Sequence, residues 1–122
     1  MTRKIKFRIW GKIAQIMLGW EKLNEMQNLA NFLLFQCFNG NPRYILMQFT
    51  GLYDKNKKMI YDGDIVKVED EIYWVEWSDC NAGFALRGNR PDDDIYGGFF
   101  DLEIQVLGNI YENPKLLEVK ND

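Results

Sequence analysis

The chain has 122 residues, 47% of them hydrophobic and 15% aromatic, with no histidine, two cysteines and a formal net charge of −3. This length supports one domain with a modest core, and the apolar content excludes a disordered chain. The negative balance argues against a dominant phosphate-neutralising surface, and the missing histidine removes the commonest general base, the standard triads and imidazole metal sites.

In chain order, Lys4–Trp10 (KIKFRIW) alternates. Ile5, Phe7 and Ile9 fall on one face and Lys4, Lys6 and Arg8 on the other, the pattern of a half-buried strand. A turn at Gly11–Lys12 leads to Ile13–Leu18, which reads as a returning strand, with a helix as the alternative. Glu21–Gln36 then reads as one helix, because Trp20, Leu23, Met26, Ala30, Leu33 and Cys37 recur at spacings of three and four. Asn39-Gly40-Asn41-Pro42 stops it. Phe32, Leu34, Phe35 and Phe38 widen the apolar face beyond a stripe. They are expected either in the core or at a subunit interface, since a helix apolar around much of its girth must be covered by something.

From Arg43 the pattern changes to short strands: Tyr44–Thr50, Tyr61 with Ile65–Val68, Ile72–Trp77, Gly83–Leu86 and Leu102–Leu107. Strands at intervals of roughly ten residues suggest a small barrel or sandwich. The acidic turn Glu69-Asp70-Glu71 joins two of them, and Arg87–Asp94 (RGNRPDDD) reads as a polar, mobile loop. Asn113-Pro114 is a helix-start pair, with Asn113 at the N-cap and Pro114 in the first turn of a short helix packing Leu116 and Leu117. The expected fold class is mostly β (α+β): a small SH3-like or partly open β-barrel of about five short strands, with an N-terminal β-hairpin, one helix and a short C-terminal helix. The expected organisation is a single domain, 1–122, with a hairpin-and-helix subregion at 1–42 and a barrel subregion at 43–122.

Three segments resemble one family: Lys6–Trp10 (KFRIW), Met47–Lys67 (MQFTGLYDKNKKMIYDGDIVK) and Val106–Leu117 (VLGNIYENPKLL). They are similar, in the same order, to the YopX-like proteins of bacteriophages and prophages. The resemblance implies a phage-encoded, mostly β, cytoplasmic protein and brings no catalytic residues with it. Two departures stand out. Gly11 follows the first tryptophan where the family often has aspartate, and Lys57 stands where the family often has glycine in a DKNGK turn. Asn56 is expected to take the left-handed position in its place.

The remaining chemistry is weighed residue by residue. Cys37 and Cys80 have no C-x-x-C partner and read as free, buried thiols in a reducing cytosol. Asp54, Asn56, Asp62, Gly63 and Asp64 read as turn and cap residues. Neither Asp54 nor Asp62 starts a loop with the ligand spacing and central glycine of an EF-hand. Asp92–Asp94 reads as a solvated acidic run, with a cation site as the alternative. Lys4, Lys6 and Arg8, with Lys55, Lys57 and Lys58, are basic groups near Trp10 and Tyr53 and would serve a nucleic-acid surface. Trp74 and Trp77 fall on opposite faces of one strand and cannot form one stacking platform, so one of them is expected in the core.

No secretory leader is legible, and the apolar run Leu29–Phe38 is too short to span a bilayer. The leading expectation is therefore a cytoplasmic, non-enzymatic accessory protein without metal or cofactor. It would self-associate or bind a phage or host protein, with Leu29, Phe32, Phe35 and Phe38 as the interface. A nucleic-acid-binding barrel is the alternative, and a hydrolase ranks last.

Overall fold

The computed structural model describes residues 5–96 and 102–118. The chain divides into two compact units, residues 1–49 and 50–122. It is mostly β (α+β), with two sheets and few helices.

In the first unit, β1 (Phe7–Gly11) pairs antiparallel with β2 (Ile16–Leu18) and with the first part of β3 (Tyr44–Tyr53). Register sets the faces. Ile9 lies opposite Leu46, and Trp10 opposite Ile45, so Phe7, Ile9, Tyr44 and Leu46 share one side of the sheet. That side packs against Leu23, Ala30 and Leu33 of the helices to form the unit's core. The opposite side is not polar as the alternation suggested, because Trp10, Met47 and Phe49 are buried there too. Ile5 lies before the strand and is exposed. The return from β1 takes a turn with Gln15 in the left-handed region (φ 58°), and Ile13–Leu18 yields only the three residues of β2.

The helical segment is two helices, not one: α1 (Trp20–Glu25) and α2 (Gln27–Phe38), broken at Met26 (φ −114°, ψ 62°). The Met26 amide closes α1 on the Lys22 carbonyl at 3.1 Å, and the Met26 carbonyl opens α2 by accepting from Ala30 N–H at 2.8 Å. No proline or glycine marks the break. It lets Leu23 and the Ala30–Leu33 side both reach the core, while Met26, expected in the apolar stripe, is exposed. After α2 the chain turns through Gly40 at φ 74°, where a β-carbon would be strained.

In the second unit the end of β3 turns back through Asp54–Lys58 into β4 (Met59–Tyr61), and the Asp54 amide donates to the Lys58 carbonyl at 2.8 Å. A five-stranded antiparallel sheet follows, in the order β8-β7-β6-β5-β9. Its strands are β5 (Asp64–Val68), β6 (Glu71–Ser78), β7 (Gly83–Arg87), β8 (Ile95–Tyr96) and β9 (Ile104–Asn109). This open sheet is the barrel-like part of the expected fold. A register shift between Ile65 and Val66 against β9 bends it locally. Ile60, Val66, Val68, Val75, Leu86 and Ile104 form its core. The turn between β5 and β6 is tighter than Glu69–Glu71, since Val68 already pairs with Glu71 and Glu69 takes φ 57°.

Two expectations change at the chain's later connections. Within Arg87–Asp94 a 3₁₀ turn forms at Pro91–Asp93, followed by the short strand β8. The C-terminal helix is a 3₁₀ turn, Pro114–Leu117, whose Leu116 is exposed. Neither cysteine is fully buried: Cys37 is half-buried and Cys80 exposed. Of the tryptophan pair, Trp77 is exposed in edge-to-face contact with Phe84, and Trp74 is half-buried, so neither is a core residue.

Candidate interaction face on the second helix

The helix α2 carries twelve residues, QNLANFLLFQCF, without a single charge. A helix has about 3.6 residues per turn, so residues three and four apart share a face. Ala30 and Leu33, with half-buried Leu34 and Cys37, meet the sheet of the first unit. Phe32, Phe35 and Phe38 follow one another at spacings of three on the other side. They stand 54%, 64% and 75% exposed. Leu29 does not join them, because it packs against the first unit's core. The four residues grouped from sequence thus separate into one core contact and three exposed rings. Burial also raises the pKa of the Cys37 thiol.

Beside this face lies a small groove of about 160 Å³ between β1, α1 and α2. Phe7, Trp20, Leu23 and Leu34 give it apolar walls, and Asn24, Gln27 and Asn31 give it a polar rim. The Phe7 and Trp20 rings meet edge to face, 5.2 Å between centroids. None of its lining residues is charged. Sequence reasoning missed it because its walls come from three elements. The amides at 24, 27 and 31, spaced by three and four, were its one trace.

The acidic residues are engaged in the scaffold. Asp54 is buried. Its Oδ1 accepts from the amides of Asn56 and Lys58, both at 2.8 Å, and its Oδ2 accepts from Val106 N–H at 2.9 Å. Burial pushes the Asp54 pKa up, but the three amides and the Lys58 charge outweigh it and hold the carboxyl below its ordinary value. The left-handed residue of this turn is Lys57 itself, at φ 64°, and not Asn56. In the next turn Gly63 takes φ 87°. Its amide donates to the Val75 carbonyl, and its carbonyl accepts from Ile110. The neighbouring Asp64 is 1% exposed and accepts from Tyr61 N–H at 2.8 Å, while Asp62 is half-buried.

The aspartate run at 92–94 does not converge. Asp92 and Asp93 are exposed. Asp94 turns inward, with one oxygen 2.9 Å from Arg87 Nη1 and the other accepting from Gly88 N–H at 2.9 Å. Burial raises the Asp94 pKa, yet the Gly88 amide, Arg87 and the Tyr96 hydroxyl together lower it. Arg87 also donates to Glu76 and Tyr96 and lies over the Tyr96 ring. Among the described residues, no three carboxylate or thiol groups gather as a metal site would require. Asn113 Oδ1 accepts from Asn109 N–H at 3.2 Å, and no side-chain bond caps the turn that Pro114 opens.

Of the basic residues, Lys4 lies outside the described residues. Lys6 and Arg8 are half-buried in the first unit, and Lys55, Lys57 and Lys58 are exposed in the second. Tyr53, next to the second set, is exposed, whereas Trp10, next to the first, is 4% exposed and offers no face for stacking. Among the described residues no helix is long and apolar enough to cross a membrane.

Fold and site together define a small two-sheet α+β protein with one exposed aromatic helix face. The family model for YopX protein matches residues 6–118, nearly the whole chain, and the chain belongs to the YopX family. Protein EF1440 from Enterococcus faecalis, known from a crystal structure, is similar in fold. The two are 22% identical, and the match covers 96% of this chain and 100% of that one with a TM-score of 0.64. Among curated proteins nothing matches.

Proposed function

We propose that this chain is a phage-encoded accessory module of the host cytoplasm that works by binding another protein chain, not by catalysis. The observation that carries this reading is the exposure of Phe32, Phe35 and Phe38 along one side of α2. Scattered apolar residues on a surface need no explanation, but three phenylalanines in one row form a patch. Aromatic residues are also the side chains most enriched at protein interfaces. Against a catalytic role stands the engagement of Asp54, Asp64 and Asp94 by backbone amides and an arginine, which leaves their charge satisfied within the scaffold.

Phe35→Asp tests the reading. The site is solvated, so the fold is expected to survive, with a change in stability within about 0.5 kcal/mol. Immobilised protein is expected to retain a protein chain, its own or one from an infected-cell extract, that the variant does not retain. Equal retention by both would overturn the proposal.

A nucleic-acid surface is the second reading, favoured by exposed Lys55, Lys57 and Lys58 beside exposed Tyr53. It requires binding to single-stranded DNA or RNA that weakens steeply with salt and disappears on changing the three lysines to glutamate. No retention at low salt would dismiss it.

A further inference from the structure

We infer that the occupant of the α2 face is a second copy of this chain, docked antiparallel about a two-fold axis at Phe35; this rests on the docking reading above. A two-fold contact brings the same patch of both copies together, so residue i of one meets residue j of the other and the reverse. A patch used this way must complement itself. The exposed side of α2 does. Outward from Phe35, the i±3 positions are Phe32 and Phe38, and the i±4 positions are Asn31 and Asn39. In an antiparallel pair Phe35 meets its own copy, Phe32 meets Phe38 of the second copy, and Asn31 lies across from Asn39.

Charge points the same way. In a two-fold contact a charge on or near the axis faces its own like, and like charges across an interface cost several kcal/mol. The twelve residues of α2 carry none, and neither does the adjoining groove, which shares Asn31 with the face. A basic or acidic partner would find nothing here to pair with.

Area sets the strength. With roughly 200 Å² per phenylalanine, the three rings offer roughly 400 Å² per copy and about 800 Å² in the pair. The groove rim extends the patch through Asn31. That total lies below the ~1,200 Å² floor of standard interfaces and in the range of transient ones. The dimer is therefore reversible and depends on concentration.

Two measurements on purified full-length chain test this. Sedimentation equilibrium is expected to show a monomer–dimer equilibrium, and Phe35→Asp, which sets two carboxylates face to face, is expected to weaken it about a hundredfold or more. Disulfide trapping, in a Cys37→Ala/Cys80→Ser background, then reads the geometry. Phe35→Cys is expected to cross-link to itself, and Phe32→Cys to cross-link when mixed with Phe38→Cys. Phe32→Cys alone is not expected to link, since six residues at 1.5 Å rise separate the two copies by about 9 Å along the axis, beyond disulfide reach. A purified chain that stays monomeric up to about millimolar concentration overturns the second copy; if Phe35→Asp still abolishes retention from extract, the docking reading survives without it. A dimer that Phe35→Asp leaves intact, or in which Phe32→Cys links to itself as well as Phe35→Cys does, overturns the two-fold arrangement.

Discussion

Asp54 and Lys57 sit three residues apart in one turn and pull stability in opposite directions. The Asp54 carboxylate ties its own turn together through Asn56 and Lys58, then reaches 52 residues along the chain to the Val106 amide at the β9 edge. Hydrogen bonds to a charged acceptor contribute more than neutral ones, and a buried amide left without its acceptor is costly. Asp54→Asn keeps the shape but removes the charge and turns one acceptor into a donor facing an N–H. It is expected to cost about 1.5–3 kcal/mol, read as a lower urea midpoint at unchanged m-value. Lys57 is the opposite case. A residue with a β-carbon at φ 64° carries roughly 1–2 kcal/mol of strain, of which glycine's greater backbone freedom when unfolded returns about half. Lys57→Gly is therefore expected to stabilise by about 0.5–1 kcal/mol, and a lower melting temperature for that variant would show the turn is held for another reason.

Elements depend on such contacts in different degrees, and β8 depends most. It has two residues, follows a polar segment with a proline, and among the described residues pairs with β7 through Ala85–Tyr96 and Leu86–Ile95. Asp94 holds it there by gripping Arg87 and the Gly88 amide. Asp94→Ala is expected to cost about 1–2 kcal/mol and to speed amide exchange in β7 and β8 well before β5 and β6. Uniform exchange across the sheet would sink that account. A strand of two residues leaves no alternation to find, so sequence reading placed a loop at Arg87–Asp94 and no strand directly after it. The other strands of the second unit were legible because Val66, Val68, Val75 and Ile104 repeat turn-bounded apolar patterns that the core then uses. The helical segment was legible as helix, but not its break, since Met26 carries no helix-breaking chemistry and only packing selects the bend. The candidate face was half legible. Composition showed an over-apolar helix. Periodicity alone did not tell which third of a charge-free helix would be core, so Leu29 was grouped with the three exposed rings.

At the scale of the whole molecule, pH shows how these contacts add. A chain without histidine has no ordinary side chain titrating between about pH 5 and 8. On the acid side, Asp54 and Asp94 both have folded-state pKa values below their ordinary 3.8. The folded state then binds fewer protons than the unfolded chain, so their contribution is complete above the unfolded value and is lost as pH falls through the lower, folded one. On the alkaline side, burial raises the Cys37 thiol above its ordinary 9.0 and the Tyr73 phenol above 10.0, the latter with help from Glu71, Asp93 and Glu69. There the unfolded chain gives up its protons first. The stability these two groups lend is complete below their unfolded values and declines as pH climbs through the folded ones. The urea midpoint is therefore expected to be level from about pH 5 to 8, to fall below pH 4 and to decline above pH 9. Asp54→Asn is expected to start lower and to lose less between pH 4 and 2, because the group that titrated is gone. If that variant instead lost as much as the parent over the same interval, the acid sensitivity would have to originate in carboxylates other than the one that ties β9 to the turn.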